Sequence, residues 1–346
     1  MQKLTNSMRS KFASCHRAYQ SAYVEMMRPL VPSEALTFGT AMHSLLECYW
    51  TNAQPDFSQA TTGDAYKDKT LLALFDGYVE KWGSHDTLDY ERIGAEIGFE
   101  APLMNPETGG VSKTWVLAGK IDAIAKDKTT GKHIIVEHKT TSQDIGPGSD
   151  YWRKLAIDGQ VSGYYVGAQS KGFDVENCLY DVIRKPTIKP LKATPEENRK
   201  YKKDGTLYAG QREFDETPDE WYARLKADIA ERPDYYFARV EVARSQDDLV
   251  DYLFDMWAVG REIADAERLG RYSRNPQSCS AFGKCEYFDV CSGCASLDDV
   301  TLFRKAETPN EELDSKLDMQ KVNEIFDKKM KAIRDMEFEI VKKITM

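Results

Sequence analysis

The sequence lacks an apolar run long enough to cross a bilayer, and residues 1–7 lack the apolar core of a signal peptide. Internal repeats and low-complexity segments are absent as well. From these absences we expect a cytoplasmic protein with no membrane association. The 346 residues, 41% hydrophobic and 30% charged, are typical of a soluble globular protein with one large domain or two ordinary ones.

An excess of positive charge is also missing, because the formal net charge is -9 at pH 7. This balance excludes a protein that is basic over its whole surface. It permits a local basic groove for nucleic acid, since phosphate contacts need only a patch of lysine and arginine.

Apolar residues recur at helical spacing in some segments and alternate in others, which predicts the α/β class. Helices are predicted from residue 6 or 7 through Tyr19, over 38–50, 71–82, 150–169, 217–232 and 245–269, and in one or two charged segments of 309–346. Strands are predicted over 93–99, 115–124, 133–139, 178–184 and 235–242.

An acid near the end of one predicted strand is followed, fifteen residues later, by an acid and a lysine in the next. These residues are Asp122, Glu137 and Lys139. Strand side chains alternate, so Glu137 and Lys139 point to the same face and His138 to the other. Two carboxylates and an ammonium group from adjacent strands suit a hard divalent metal and a polarised water, which is the chemistry of phosphodiester hydrolysis. Taken alone, this pattern has another interpretation, because strand ends often carry charged residues that have no catalytic role.

Several short motifs in order resemble the PD-(D/E)XK nuclease superfamily, and its RecB-like exonuclease branch in particular. The motifs are Gly119-x-x-Asp122, Glu137-x-Lys139-Thr140, Gln160-x-x-x-Tyr164, and the upstream Gly39-Thr40-Ala41-Met42-His43 with Leu46-Glu47. Ile121 stands where the superfamily's name has proline, a residue that the RecB-like branch often lacks. The resemblance implies a restriction-endonuclease-like core, in which helices flank a central mixed sheet, with helical additions at both ends.

The same resemblance implies the role of each residue. Asp122, Glu137 and His43 would be ligands of Mg²⁺ or Mn²⁺, together with the backbone carbonyl of His138. Lys139 would orient or activate the attacking water. Gln160 and Tyr164 would share one helix face and line the DNA side of the site.

Seven cysteines are unusual in a reducing compartment, and four of them crowd residues 279–294, which indicates metal or cluster ligation. The RecB-like resemblance, which extends to the AddB-type and CRISPR-adaptation nucleases, implies a [4Fe–4S] cluster held by Cys15, Cys279, Cys285 and Cys291, with Cys294 as an alternate ligand. A zinc ion at the same thiolates is the competing interpretation. Cys48 and Cys178 lie in apolar contexts and are predicted to be buried core thiols.

Residues 185–216 form a proline-interrupted, basic segment that we interpret as a loop-rich insertion. Lys200, Lys202 and Lys203, interleaved with tyrosines, are the predicted DNA contacts of this segment, because single strands bind to positive charge and aromatic rings. A solvated flexible loop is the alternative.

The function expected from the resemblance is a metal-dependent DNA exonuclease that acts on DNA ends in recombination, repair or end processing. A helicase, recombinase or single-strand-binding protein is an expected partner. The alternatives are an inactive DNA-binding scaffold and an endonuclease on single-stranded DNA. The nuclease domain is expected to span residues 1–300, followed by a helical extension over 301–346.

Overall fold

A computed structural model describes residues 1–281 and 283–314. In this part of the chain the helices are α1 Asn6–Ser14, α2 His16–Tyr19, α3 Glu34–Thr51, α4 Ala65–Asp89, α5 Asp150–Arg153, α6 Gly159–Ser170, α7 Pro218–Glu231, α8 Pro233–Tyr236, α9 Gln246–Leu269 and α10 Phe288–Cys291. The strands are β1 Gln2–Leu4, β2 Met27–Pro29, β3 Tyr90–Met104, β4 Val111–Asp127, β5 His133–Thr141, β6 Val175–Arg184, β7 Phe237–Val242 and β8 Phe303–Lys305. None of these helices combines the length and apolarity that a membrane crossing requires.

One mixed sheet forms the centre of the fold. Its strands follow the order β1-β4-β5-β6-β7, and β3 pairs with the remaining edge of β4. β5 and β6 are parallel and are joined through α5 and α6, whereas β4 pairs antiparallel with both β3 and β5. Helices cover both faces of this sheet, so the α/β class with a restriction-endonuclease-like core is confirmed.

Apolar side chains divide into a core on each face of the sheet. One core packs α3, α4 and α7 against the sheet through residues such as Trp50, Leu74 and Trp221. The opposite core includes Val161 and Tyr165 of α6, and an adjoining cluster joins α1 to α9. Because α3 and α6 pack on opposite faces, side chains from both helices can reach one end of the central strands.

Strand β4 changes partners along one edge, and this change opens a fork in the sheet. Its residues 115–117 pair with β1, and its residues 123–126 pair with β5. β5 then leaves β4 but continues along β6 from Glu137 to Thr141. Asp122 therefore lies where β4 and β5 separate, and the residues that follow Val136 border the same opening.

Local capping signals explain where two of the predicted helices begin. Thr217 caps α7 in a capping box with Glu220, and Pro218 occupies the first position of the helix. Ser245 and Asp248 form a second capping box at α9. These boundaries match the sequence-based prediction closely, because they depend on residues that are adjacent in the chain.

The helix predicted over 150–169 is wrong as a continuous element. It is divided into α5, a 3-10 turn over Lys154–Ile157 and α6. The break occurs because Asp158 has extended backbone angles and caps α6, its side chain accepting a hydrogen bond from the Gln160 amide. Arg244 holds the break by donating to the carbonyl oxygens of Leu155 and Asp158.

Two other predicted elements are shorter than expected. The N-terminal helix ends at Ser14, because Cys15 is extended before α2 begins. The strand predicted over 235–242 begins only at Phe237, since residues 233–236 form a helical turn after Pro233.

The two ends of the described chain meet in a second, smaller sheet. β2 and β8 pair antiparallel, with Arg28 opposite Arg304. Of the helical extension expected over 301–346, residues 301–314 contain this strand and one 3-10 turn, Glu311–Leu313. The helices expected further on lie outside the described residues.

A buried polar network supports the sheet next to the fork. Arg239 of β7 forms ion pairs with Asp181 at 2.9 Å and with Asp86, and both carboxylates are fully buried. Tyr78 donates to Asp181 at 2.6 Å, and Tyr49 donates to Asp86 at 2.7 Å. One guanidinium group thus stabilises two buried negative charges from β6 and α4.

We expect Arg239→Ala to lower the free energy of unfolding by about 3–5 kcal/mol, because it leaves two buried carboxylates without their counter-ion. Arg268→Ala is the matched control: its 3.0 Å pair with Asp265 is exposed, and such pairs contribute under about 1 kcal/mol. Urea denaturation of both variants measures the difference. Equal losses in the two variants would show that the Arg239 network does not stabilise the fold.

Candidate active site

The fork between β4 and β5 brings the two predicted acids together. Ala123 pairs with Val136, so Asp122 and Glu137 are the next residues on either side of the opening. The backbone N–H of His138 donates to Oδ2 of Asp122 at 2.9 Å, which fixes the orientation of that carboxylate. Lys139 Nζ forms an ion pair with Oε1 of Glu137.

A chain of hydrogen bonds connects the lysine to helix α6. Lys139 Nζ donates to Oε1 of Gln160 at 2.9 Å, and Nε2 of Gln160 donates to the Tyr164 hydroxyl at 2.8 Å. Gln160 and Tyr164 are one helical turn apart, so both face the fork. The structure therefore places Lys139, Gln160 and Tyr164 in one continuous arrangement.

Helix α3 contributes His43 from the opposite face of the sheet. Its Nδ1 lies 3.5 Å from Oδ2 of Asp122. Burial lowers the pKa of His43 and outweighs the opposite effect of Asp122. The imidazole is therefore neutral near pH 7, which is the form that coordinates a metal.

Glu96 also belongs to this site, although none of the sequence motifs includes it. One ligand atom each from His43, Glu96 and Asp122 lie within 4.8 Å of one another. Glu96 stands opposite Asp122 in the β3–β4 ladder, between the pairs Ala95–Ala123 and Ile97–Ile121. In the sequence it looks like the solvent-facing partner of an alternating strand, so no local pattern marks it.

The backbone at Glu96 is unusual in a way that favours a functional role. Its φ is 53°, a left-handed conformation that is uncommon for residues other than glycine and costly in the middle of a strand. Its carboxylate also forms an ion pair with Lys120. Strained residues that persist in a regular element often occur at active sites.

The buried ionisable groups of the site shift one another's pKa values. Burial, and next the charge of Asp122, raise the pKa of Glu137 to about 8 despite the nearby lysine. Burial also favours the neutral form of Asp122, but His43, His138 and Lys139 outweigh it and hold the pKa of Asp122 well below its usual value. Burial likewise opposes the charged form of Lys139, and Glu137 and Asp122 more than compensate, so its pKa is raised.

These residues fit a divalent cation. Both oxygens of Glu137 are buried, and Lys139 Nζ contacts one of them, Oε1, in an ion pair. Hard cations such as Mg²⁺ take carboxylate oxygens, and a buried carboxylate needs a counter-charge. A cation bound near Asp122 and Glu137 would supply it, with His43 and Glu96 as further donors.

The His138 ring lies away from Glu137 and Lys139, as the strand alternation predicts. Its Nε2 accepts a hydrogen bond from Trp50 Nε1 at 2.9 Å, and its Nδ1 lies 3.6 Å from Asp122. The His138 ring therefore lies between Trp50 and the Asp122 carboxylate. Coordination through the His138 backbone carbonyl stays a prediction.

The four cysteines implied by the resemblance line one cavity of about 200 Å³, which we call the thiol cavity. Cys15 comes from the break between α1 and α2, and Cys279, Cys285 and Cys291 come from the segment after α9. Cys294 is exposed and does not line the cavity. Cys178 of β6 is buried in the core, as predicted. The prediction of a buried thiol at Cys48 is wrong, because this residue of α3 is only partly buried.

The predicted DNA contacts Lys200, Lys202 and Lys203 lie in an exposed loop closed by a bridge between Tyr201 and Leu207. None of these lysines lines the groove beside Lys139. Their role in DNA binding stays a prediction.

The family profile of the PD-(D/E)XK nuclease superfamily matches residues 3–292 of this chain. The fork, the paired acids and the lysine are all within the matched range. The chain therefore belongs to the PD-(D/E)XK nuclease superfamily, and this membership supports nuclease activity and a nucleic-acid substrate.

Two solved structures are distantly similar to this chain. A presumed exonuclease from Eubacterium rectale is 12% identical with a TM-score of 0.45, over 85% of this chain and 88% of that one. The protein SSO0001 is 14% identical with a TM-score of 0.24, over 72% of this chain and 84% of that one. No curated protein matches the sequence. These likenesses are too remote to carry an argument about function.

We expect Asp122→Asn and Glu96→Gln each to weaken Mn²⁺ binding, by at least about 10-fold, because each removes a charged donor from the fork. Glu100→Gln is the control, since Glu100 lies on the same strand but forms an exposed ion pair with Lys3. Titration calorimetry measures the affinity. Binding by Glu96→Gln as tight as in the Glu100 control would remove Glu96 from the metal site.

Proposed function

We propose that this protein is a Mg²⁺- or Mn²⁺-dependent deoxyribonuclease that acts as an exonuclease on DNA ends. The observation that carries the proposal is the convergence of Asp122, Glu137 and Lys139 at the fork. Superfamily membership supports hydrolysis of nucleic acid, and a bound cation is supported by ligand atoms of His43, Glu96 and Asp122 that lie within 4.8 Å of one another.

Each side chain then has a role that its position supports. Asp122 and Glu137, with His43 and Glu96, would hold the cation, which supplies charge neutralisation and a water of lowered pKa. Lys139, held between Glu137 and Gln160, would stabilise negative charge that develops on the phosphate. Tyr164 keeps the Gln160 amide oriented toward that lysine.

The inactive-scaffold alternative is disfavoured because the acids and the lysine are all in place and mutually oriented. A role in recombination, repair or end processing follows from the RecB-like resemblance, as does a helicase, recombinase or single-strand-binding partner. We infer a cytoplasmic enzyme whose nuclease domain spans residues 1–300, with 185–216 as an insertion.

We expect Glu137→Gln to lower the rate of metal-dependent DNA cleavage by more than about 100-fold, because it removes a charged metal donor while preserving the shape of the side chain. The measurement is digestion of end-labelled DNA with Mg²⁺ or Mn²⁺. Glu176→Gln is the control, because it is the same chemical change at an exposed residue near the start of β6. Undiminished cleavage by Glu137→Gln would remove the assignment.

The same assay on circular DNA separates exonuclease from endonuclease activity. An exonuclease degrades linear DNA and leaves closed circular single-stranded DNA intact, since the circle has no end. Degradation of the circle at a comparable rate would establish an endonuclease instead.

We also propose that the thiol cavity holds a [4Fe–4S] cluster. Cys15, Cys279, Cys285 and Cys291 all line this cavity, and four thiolates are the usual ligand set of such a cluster. Zinc bound by the same four thiolates is the alternative.

The cavity's position supports a role in closing the domain. It joins the α1–α2 break to the segment that follows α9, next to a small apolar cluster that contains Ala18, Tyr287 and Phe303. A cluster there would tie the beginning of the nuclease domain to its end. Its loss should loosen both ends of the fold.

We expect anaerobically purified protein to be brown, with absorbance near ~400 nm and stoichiometric iron and sulfide. Cys285→Ser should lose the colour, whereas Cys294→Ser should keep it, because Cys294 lies outside the thiol cavity. Iron and zinc analysis of both variants checks the result. Colourless wild-type protein with stoichiometric zinc would contradict the cluster.

A further inference from the structure

A polar groove of about 540 Å³ opens directly beside Lys139, and we call it the Arg9 groove. Helix α1 forms one wall, and the break between α5 and α6 forms the other. Its volume is in the range of pockets that enclose a small-molecule ligand, the size of a nucleotide unit rather than of a duplex. The groove therefore extends from Lys139 of the candidate active site into the space between α1 and the α5–α6 break.

Positive charge predominates in the Arg9 groove. Arg9, Lys139 and Lys154 line it, and Asp158 is the acid among its lining residues. The Asp158 carboxylate is engaged in capping α6, where it accepts from the Gln160 amide at 2.8 Å. Local charge of this sign, in a chain with a net charge of -9, suits a phosphate backbone.

A glycine lets Arg9 lie close to α6. A Cβ atom added to Gly159 would lie 2.7 Å from Nη1 of Arg9, so the guanidinium rests against the first residue of α6. A larger residue at position 159 would require the end of the Arg9 side chain to shift. The second contact of Arg9 is a 3.4 Å ion pair with Asp255, whose side chain is 63% exposed, so this pair is weak.

The opposite wall is cross-linked by Arg244 and carries an exposed apolar side chain. Arg244 donates to Ser162 Oγ in α6 and to the carbonyl oxygens of Leu155 and Asp158 in the α5–α6 break. Lys154 rests over the Tyr151 ring, and Ile157 at the rim is 87% exposed. An apolar side chain beside basic groups suits the unstacked bases of a single strand.

We propose that the Arg9 groove binds the single DNA strand adjacent to the scissile phosphate. Arg9 and Lys154 contact its backbone phosphates, and Ile157 contacts a base. The inference rests on the proposed function, because it extends that site to its substrate. It assigns strand binding to residues outside the basic loop with Lys200.

The test is fluorescence anisotropy of full-length protein with a short labelled single-stranded DNA, without divalent metal and over a range of salt. Arg9→Gln/Lys154→Gln should weaken binding at least about 10-fold, or about 1.4 kcal/mol, because it removes two charged phosphate contacts. The salt slope should fall by about 1.4, or 0.7 for each lost phosphate contact. Lys113→Gln/Lys171→Gln, an equal charge change at two exposed positions, should bind nearly as wild type.

Gly159→Ala tests the same geometry without removing charge. The added methyl displaces the Arg9 guanidinium, so it should weaken DNA binding in the wild type and add nothing in Arg9→Gln. This non-additivity separates displacement of Arg9 from general damage, and an unchanged Tm excludes unfolding.

Wild-type affinity in Arg9→Gln/Lys154→Gln would overturn the inference, as would a loss no larger than in the Lys113/Lys171 control. A loss confined to Lys200→Gln/Lys202→Gln/Lys203→Gln would also overturn it. DNA cleavage is measured separately from DNA binding. Protein that binds DNA through the Arg9 groove but never cleaves it would refute the proposed nuclease function without contradicting the inference about the groove.

Discussion

The separation of β4 from β5 is the constraint on which the site depends. Because β4 exchanges β5 for β1 along one edge, Asp122 and Glu137 border an opening instead of continuing a ladder. Two buried carboxylates in such a place are unfavourable without positive charge. Lys139 supplies part of it, but burial and the charge of Asp122 still raise the pKa of Glu137 to about 8. The divalent cation that we propose would supply further positive charge.

Contacts from both faces of the sheet hold Asp122 and Lys139 in place. The His138 N–H orients Asp122, and behind the His138 ring lie Trp50 and the network of Arg239 with its two buried acids. On the other face, α6 holds Lys139 through Gln160. The break that starts α6 at Asp158 also creates the Arg9 groove. The cap at Asp158 thus shapes both the surroundings of Lys139 and the groove that we propose for the DNA strand.

The sequence was sufficient where function follows short patterns. The α/β class, the strands that carry Asp122 and Glu137, and the grouping of Lys139 with Gln160 and Tyr164 could all be predicted, because alternation and motif order are local signals. Glu96 could not be predicted, since its role depends on the register of β3 against β4 and on a left-handed backbone. Arg9 meets Gly159 only after α1 packs on α6. Asp158 is a residue type that commonly caps helices, so it could have marked the start of α6. The apolar residues that recur on both sides of it led instead to the prediction of one continuous helix.

The most direct test of the central claim is the position of the metal ion. Crystals soaked with Mn²⁺ and measured at the manganese absorption edge should show an anomalous peak in the fork, at bonding distance from carboxylate oxygens of Asp122 and Glu137. A Mn²⁺ peak that contacts neither of these acids, or an empty fork in crystals that bind Mn²⁺ elsewhere, would contradict the account.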